Sequence, residues 1–462
     1  MPGNAAITAA RLRQWLRPQP RWPAMLVAAM AIIIGGAIWF QAARPGTHVG
    51  YDFALYVDAA RSIVGGGNPY HRLVLLHQDS HLGSTGVAAS GYVYPPLLAV
   101  VLSLPVRLGL DSQSLALLWA LLNLAAVLWM SYELNLGLRG RREWSGTLAF
   151  AAACFVPSLV MYDLFLGQAD LLLASLAVVS CGLWLRGNRW AALTLGVAIA
   201  IKPIAAILLL VWLWKGDWRM ALRGAIVALL LLGLPFAALG LEGLRDYITF
   251  LTHFNGLAAD ADVMNQAPYG MLLRSFTINS FTTPLVVAPW LITPLRILIT
   301  GGLAAWWLRA VPRARAADHT QAMSECLLAL PLAVLLSPFA EQIHFCLVIP
   351  ALIGLSWLAA ARRLWHRPAA WVLWAALALC CIPKLEDLID PKAWILLPGQ
   401  NDAHIGPLIA LLRTGVFLWV GLATLLAGAS LVRAAAGASA DASGSTALMR
   451  EANAGRQSLQ QF

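Results

Sequence analysis

The sequence predicts an all-α, polytopic membrane protein, and three observations carry that prediction. Of 462 residues, 60% are hydrophobic and only 12% charged, with a mean hydropathy of +0.71. Apolar runs of about 20 residues, the length that crosses hydrocarbon, recur along the chain. Arg and Lys gather in the gaps between runs, as expected when an ion facing lipid costs ~3 kcal/mol or more. The net charge of +10 therefore describes topology-setting loops, and nucleic acid is not an expected partner. None of the six cysteines, at 154, 181, 326, 346, 380 and 381, lies in a polar loop at ligand spacing, so neither a disulfide framework nor a metal knuckle is predicted.

The placement of cations orders the chain. Residues 1–23, with Arg11, Arg13, Arg17 and Arg21, read as a basic cytoplasmic N-terminus ahead of a first, uncleaved span over 24–42. The next segment, 51–70, then lies outside, in the periplasm of a bacterium. Residues 53–64 show helical spacing and end at Gly65, Gly66 and Gly67. A second short apolar run follows the Pro pair of YVYPPL, and neither is long enough to cross. Both are expected to lie along the outer membrane surface. Asp111 opens the next span with a capping sequence, DSQS, and RGRR ends it inside.

Spans over 146–163 and 171–185 follow. The stretch 190–214 has cations at both ends and one lysine, Lys202, within it. One crossing would violate the charge rule, whereas two half-depth helices broken at Lys202-Pro203 satisfy it. Further runs over 224–241, 287–308, 322–338, 345–361, 369–383 and 407–432 bring the total to about twelve crossings or half-crossings, both termini inside. The whole of 24–433 reads as one transmembrane domain, and the Ala/Gly/Ser-rich segment 434–462 as a disordered cytoplasmic tail.

With sides assigned, the unusual polar residues fall on one face: Asp52, Asn68, Tyr70, Tyr94, Gln168, Asp170, Lys202, Asn265, Arg274, Glu341 and His344 all lie at or near the outer boundary. The motifs that hold them, YDFALYVDAARSIVGGGNPY, YVYPPL, GQADLLLASL, AIAIKPIAAILLL, NQAPYGMLLR and SPFAEQIHF, occur in an order that resembles glycosyltransferase family 87, over roughly residues 24–360. The resemblance implies a helical bundle of the GT-C type. It implies polyprenol-phosphate-mannose-dependent α-mannosyltransferase activity at the periplasmic face of the bacterial inner membrane. The partners would be a polyprenyl-phosphate-linked sugar donor, a lipid or glycan acceptor, and membrane lipids. The chain departs from the family at Asp170, where the motif is usually G-Q-x-N, and at Ala267, where N-Q-S is common.

Such a donor carries its own leaving group, so no cofactor is expected. The enzyme needs a base for the acceptor hydroxyl and cations for the departing phosphate. The resemblance casts Asp52 as general base of a single inverting displacement. Lys202, Arg274 and His344 would bind the donor phosphate. Asn68, Tyr70, Tyr94, Gln168, Asp170 and Asn265 would contact sugar or acceptor. Plainer readings stand beside these. Asp52 could cap the helix starting near Phe53, Asp58 could be the acid instead, and Lys202 could snorkel to an interface. Arg274 could serve only to hold its loop near lipid headgroups. His77 and His81 are one helical turn apart, with His71 nearby, yet no carboxylate pattern accompanies them, and no metal site is expected. A transporter or flippase of lipid-linked or anionic substrates is the alternative function, and a noncatalytic binder of lipid-linked intermediates a third.

Overall fold

The computed structural model describes residues 50–71, 92–257, 261, 264–279, 282–314, 316, 318–382 and 415–459. All regular structure among them is helical. The first expected span, 24–42, the loop 72–91 and the segment 383–414 lie outside the described residues.

Helix α1, Tyr51–Val64, starts behind a left-handed Gly50 and ends at Gly65. It packs across α2, Leu97–Arg107. Helix α3, Ser112–Arg139, begins as its sequence demands: Asp111 accepts the Ser114 N–H at 2.7 Å, and Gly140 closes the helix in a left-handed conformation. Two helices, α4 (Trp144–Phe155) and α5 (Ser158–Leu166), follow with a 77° bend at Val156-Pro157. After α5 the chain turns at Gly167 into α6, Asp170–Leu185.

The break at Lys202 is present. Helix α7, Trp190–Ile201, ends where Lys202 turns extended, and a short 3-10 turn, Pro203–Ala206, leads into α8, Ile207–Trp214. Lys202 reaches Asp170 at the start of α6, whereas Trp212 stacks on Trp184 near the end of α6, ring centroids 6.0 Å apart. The two legs therefore return to the same end of the bundle as a hairpin with Lys202 at its tip. Both legs pack on α9, Trp218–Gly233. There Gly196 leaves room for Val227, since a Cβ would meet its Cγ1 at 2.4 Å.

The expected count of twelve spans is not what the helices show. Among the described residues five helices are long and apolar enough to cross a membrane, or up to seven if each bent pair is one span. The reason is local. A hydropathy run sums through a bend, but proline and glycine cut several runs into short helices. The apolar run 224–241 bends by 83° between α9 and α10, Phe236–Leu257, at Leu234-Pro235. Helix α10 and α11, Pro268–Phe276, occupy what reads in sequence as a loop of mixed polarity.

The remaining helices are α12 (Ile292–Ala310), the continuous pair α13 (His319–Leu327) and α14 (Ala329–Leu336), α15 (Val348–Ala361) behind a 3-10 turn at Gln342–Leu347, and α16 (Pro368–Cys380). The last, α17, runs Val416–Leu459, so 434–459 is helical where composition suggested a disordered tail. Alanine, the strongest helix former, supplies the local reason.

Ionic residues divide between two ends of the bundle. Glu133 with Arg186, Lys215 with Glu325 and Asp318 with Arg362 form ion pairs at one end. Asp52, Gln168, Lys202 and His344 lie at the other. Helix α6 runs from Asp170 at the second end to Arg186 at the first, and α15 with its preceding turn runs from His344 to Arg362. This division matches the separation of outer polar residues from basic loops in the sequence.

Candidate active site

A cavity of about 1080 Å3 opens at the second end, lined on its polar side by Asp52, Tyr94, Gln168, Lys202, Glu341 and His344. These residues come from α1, the segment before α2, the α5–α6 turn, the hairpin tip, and the turn before α15.

Gln168 is the hub. Its Nε2 donates to Asp52 Oδ2 at 2.7 Å, and its Oε1 accepts from Tyr56 at 2.9 Å and from Lys202 Nζ at 3.4 Å. The Tyr94 hydroxyl lies 3.1 Å from the same Oε1 and 3.0 Å from Nε2. Gly167 makes this approach possible. At φ +71° it sits so near α1 that a Cβ would come within 2.6 Å of Phe53 Cβ, so a side chain there would push Gln168 off Asp52.

Asp52 lies in the first turn of α1, but Gly50 holds the cap position and no side-chain capping bond forms. The capping role open to Asp52 in sequence is therefore not the one it takes. Its carboxyl is raised above the ordinary aspartate value of 3.8, chiefly by burial, and the Gln168 hydrogen bond and the Lys202 charge pull it back down. Burial likewise pushes the Tyr94 phenol up to about 12, which keeps its proton in place for hydrogen bonding. Asp58, the rival acid, is exposed, pairs with Arg61 at 3.2 Å, and borders a separate small pocket on the other face of α1.

Lys202 is buried and pairs with Asp170 Oδ2 at 2.5 Å, with its ammonium 4.9 Å from the Tyr94 ring centroid. Asp170 is itself fully buried and is not part of the lining, so its expected role as a sugar contact gives way to that of counter-ion. Such a pair explains how an ammonium persists at the hairpin tip, since an isolated charge there would cost several kcal/mol. His344 borders the cavity with Nδ1 accepting the Glu341 N–H at 3.1 Å, so the neutral ring carries its proton on Nε2.

Four expected site residues do not line the cavity. Arg274 is buried and donates to the Asn265 carbonyl at 3.0 Å, which removes it from the set of phosphate-facing cations. Asn265 Oδ1 accepts from Ala267 N at 3.1 Å and Ala340 N at 3.4 Å, while Gln266 N donates to the Ala340 carbonyl at 2.7 Å. The NQA and SPFAE segments are thereby laced together, and the lacing fixes Glu341 and His344. Asn68 donates to Asp246 at 2.8 Å, and Tyr70 donates to the Tyr94 carbonyl at 2.8 Å while its ring lies 4.9 Å from that of Tyr247. Each of the four makes hydrogen bonds to backbone or to a neighbouring side chain instead.

Tyr56 is the residue that sequence reading passed over. It follows Asp52 by four residues on α1, hence on the same face, and that spacing was the available signal.

The family model for glycosyltransferase family 87 matches residues 92–338, more than half of the chain. The chain belongs to glycosyltransferase family 87. The matched range holds Tyr94, Gln168 and Lys202; Asp52 lies well before it and His344 shortly after it. Two mycobacterial proteins are similar over most of their length. One is the polyprenol-phosphate-mannose-dependent alpha-(1-2)-phosphatidylinositol pentamannoside mannosyltransferase of Mycobacterium tuberculosis (strain CDC 1551 / Oshkosh), 25% identical over 393 residues and covering 84% of each chain. The other is the polyprenol-phosphate-mannose-dependent alpha-(1-2)-phosphatidylinositol mannoside mannosyltransferase of strain ATCC 25618 / H37Rv, 28% identical over 348 residues, covering 72% of this chain and 76% of that one. Among solved structures, the crystal structure of ArnT from Cupriavidus metallidurans bound to undecaprenyl phosphate aligns over 90% of this chain and 78% of that chain, with a TM-score of 0.40 and 16% identity.

Proposed function

We propose that this family 87 protein transfers a sugar, mannose in the first instance, from a polyprenyl-phosphate donor to a hydroxyl of a lipid or glycan acceptor. Transfer takes place at the periplasmic face of the bacterial inner membrane. The observation that carries the reading is the join between two kinds of surface in one cavity. Asp52, Lys202, Glu341 and His344 line one part, and Ile207, Leu210, Leu213 and Leu222 line the other. Leu210, Leu213 and Leu222 are each about half exposed, so the groove opens sideways where a chain in lipid can enter. A polyprenyl tail suits the groove, and its phosphosugar suits the polar part.

In this reading Asp52 takes the proton from the acceptor hydroxyl as that oxygen attacks the anomeric carbon, and the C–O bond to phosphate breaks on the opposite face. One displacement inverts the configuration. The departing phosphate gathers negative charge, which Lys202 and the Nε2–H of His344 stabilise. Burial makes Asp52 a better base than a free carboxylate, and Gln168 holds one of its oxygens still. The ion pairs that close the other end of the bundle favour transfer over transport, which needs access from both ends.

Purified protein supplied with polyprenyl-phosphate-mannose and a mannosylated glycolipid tests the proposal. Transfer that disappears in Asp52→Asn, while donor binding persists, is the expected result. Undiminished transfer by Asp52→Asn refutes the mechanism, and substrate movement across vesicles without transfer refutes the activity. In the same assay Lys202→Arg, which keeps the charge beside Asp170, is expected to weaken donor binding more than acceptor binding.

A further inference from the structure

The geometry points to a divalent-cation site at the cavity end of the molecule, outside the cavity, formed by His71, Glu242 and Asp246. Glu242 and Asp246 lie one helical turn apart on α10, and His71 approaches them from the segment after α1. One ligand atom from each lies within 4.8 Å of the other two. His71 Nδ1 stands 3.5 Å from Asp246 Oδ2. Two donors sharing a tetrahedral zinc ion, each at about 2.1 Å, stand about 3.4 Å apart, so this pair already has the separation such an ion imposes.

Three further features support a cation over a simple ion pair. Asn68 Nδ2 donates to Asp246 Oδ2 at 2.8 Å, and Asn68 Oδ1 is held by the Tyr70 N–H at 3.1 Å. Ligating carboxylates are oriented by outer hydrogen bonds of this kind. Two carboxylates a helical turn apart repel each other, and a bound cation removes that cost. His71 and Glu242 are exposed and Asp246 half-buried, so an ion enters from water without disturbing the fold. One imidazole with two carboxylates selects zinc or a similar transition ion over magnesium and calcium, which favour all-oxygen sites. Water fills the fourth position.

The site would clasp the 65–71 segment to α10. Tyr247, the residue after Asp246, lines the cavity and contacts Tyr70. The ion therefore steadies a wall of the cavity without touching substrate, and its presence does not depend on which sugar is transferred. The histidines whose spacing drew attention in sequence, His77 and His81, lie outside the described residues. His71 finds its carboxylates through the fold, far along the chain.

Full-length protein in detergent, stripped with chelator and titrated with Zn2+, provides the test. The wild type is expected to bind one Zn2+ per chain and to melt at a higher temperature when loaded. His71→Ala and Glu242→Gln are expected to lose both effects while their metal-free melting temperatures match the metal-free wild type. Asn68→Ala weakens binding about tenfold or more. In the wild type, bound Zn2+ shields the His71 imidazole from diethylpyrocarbonate, read by mass spectrometry of its peptide, so a variant that does not fold leaves the proposal open to refutation. Zn2+ uptake equal in wild type and in the His71→Ala, Glu242→Gln double variant overturns it, as does unshielded His71 in zinc-treated wild type.

Discussion

The two ends of the bundle both bury ions, but they bury them differently. At the end away from the cavity Lys215, Glu325, Glu133 and Arg186 are all tied to protein partners. Lys215 Nζ contacts the Pro312 and Ala314 carbonyls and Glu325 within 3.0 Å, and Glu133 receives both terminal nitrogens of Arg186. Gln321 links Glu325 to the Val432 carbonyl on α17, at 3.0 Å to each. At the cavity end Lys202 has one carboxylate, a shared amide and an aromatic face, and Asp52 has one amide. Both remain on the wall of an open void. A saturated ion holds helices together, and an ion left facing space can act on what enters it.

Substitutions can break or sharpen this contrast. The largest expected effect is on activity at the cavity end. Asp52→Asn should lower kcat by about 10²–10⁴, the usual worth of a general base, with the melting temperature unchanged. Loss of folding instead would place Asp52 among the structural ions. Next is stability at the closed end. Glu325→Ala strands Lys215 and should cost about 3–5 kcal/mol in unfolding experiments, while activity per folded molecule survives.

The pH profile is a subtler probe. Asp52 must be ionised to act, and its carboxyl is raised, so activity should fall as pH drops through a value above the ordinary aspartate range. Lys202 favours the ionised form, and Lys202→Met should therefore move this acid limb of kcat/KM to higher pH. A limb that stays in place would mean Asp52 is not the titrating base. The smallest effect belongs to the groove. Leu213→Ala should raise KM for a long-chain polyprenyl donor by no more than about tenfold and leave a short-chain donor unaffected.

The residues that line the cavity were the more legible part of the sequence, and the contrast between the ends says why. Lys202 was marked by charge accounting, since a lysine within an apolar run flanked by cations had to be at a break. Asp52, Gln168 and His344 were marked by motifs lying on one side of the charge pattern. Arg274, Asn265, Asn68 and Tyr70 sit in the same motifs, yet they spend their hydrogen bonds on backbone and neighbours. Only the fold shows which way a polar atom is turned. The pairing of Asp170 with Lys202 was equally hidden, because it joins two segments through a hairpin. Fewer crossings appear among the described residues for a related reason: hydropathy does not register that the runs over 171–185 and 369–383 form helices shorter than a span, or that Pro157 and Pro235 redirect the chain.

The hairpin of α7 and α8 also constrains how the protein comes into being. Neither leg is long enough to settle alone in a bilayer, so both wait for α9 to give them a surface. Glu341 and His344 arrive later still, from far down the chain. A ribosome must pass residue 344 before the pocket exists, which leaves any copy that ends earlier incapable of turnover.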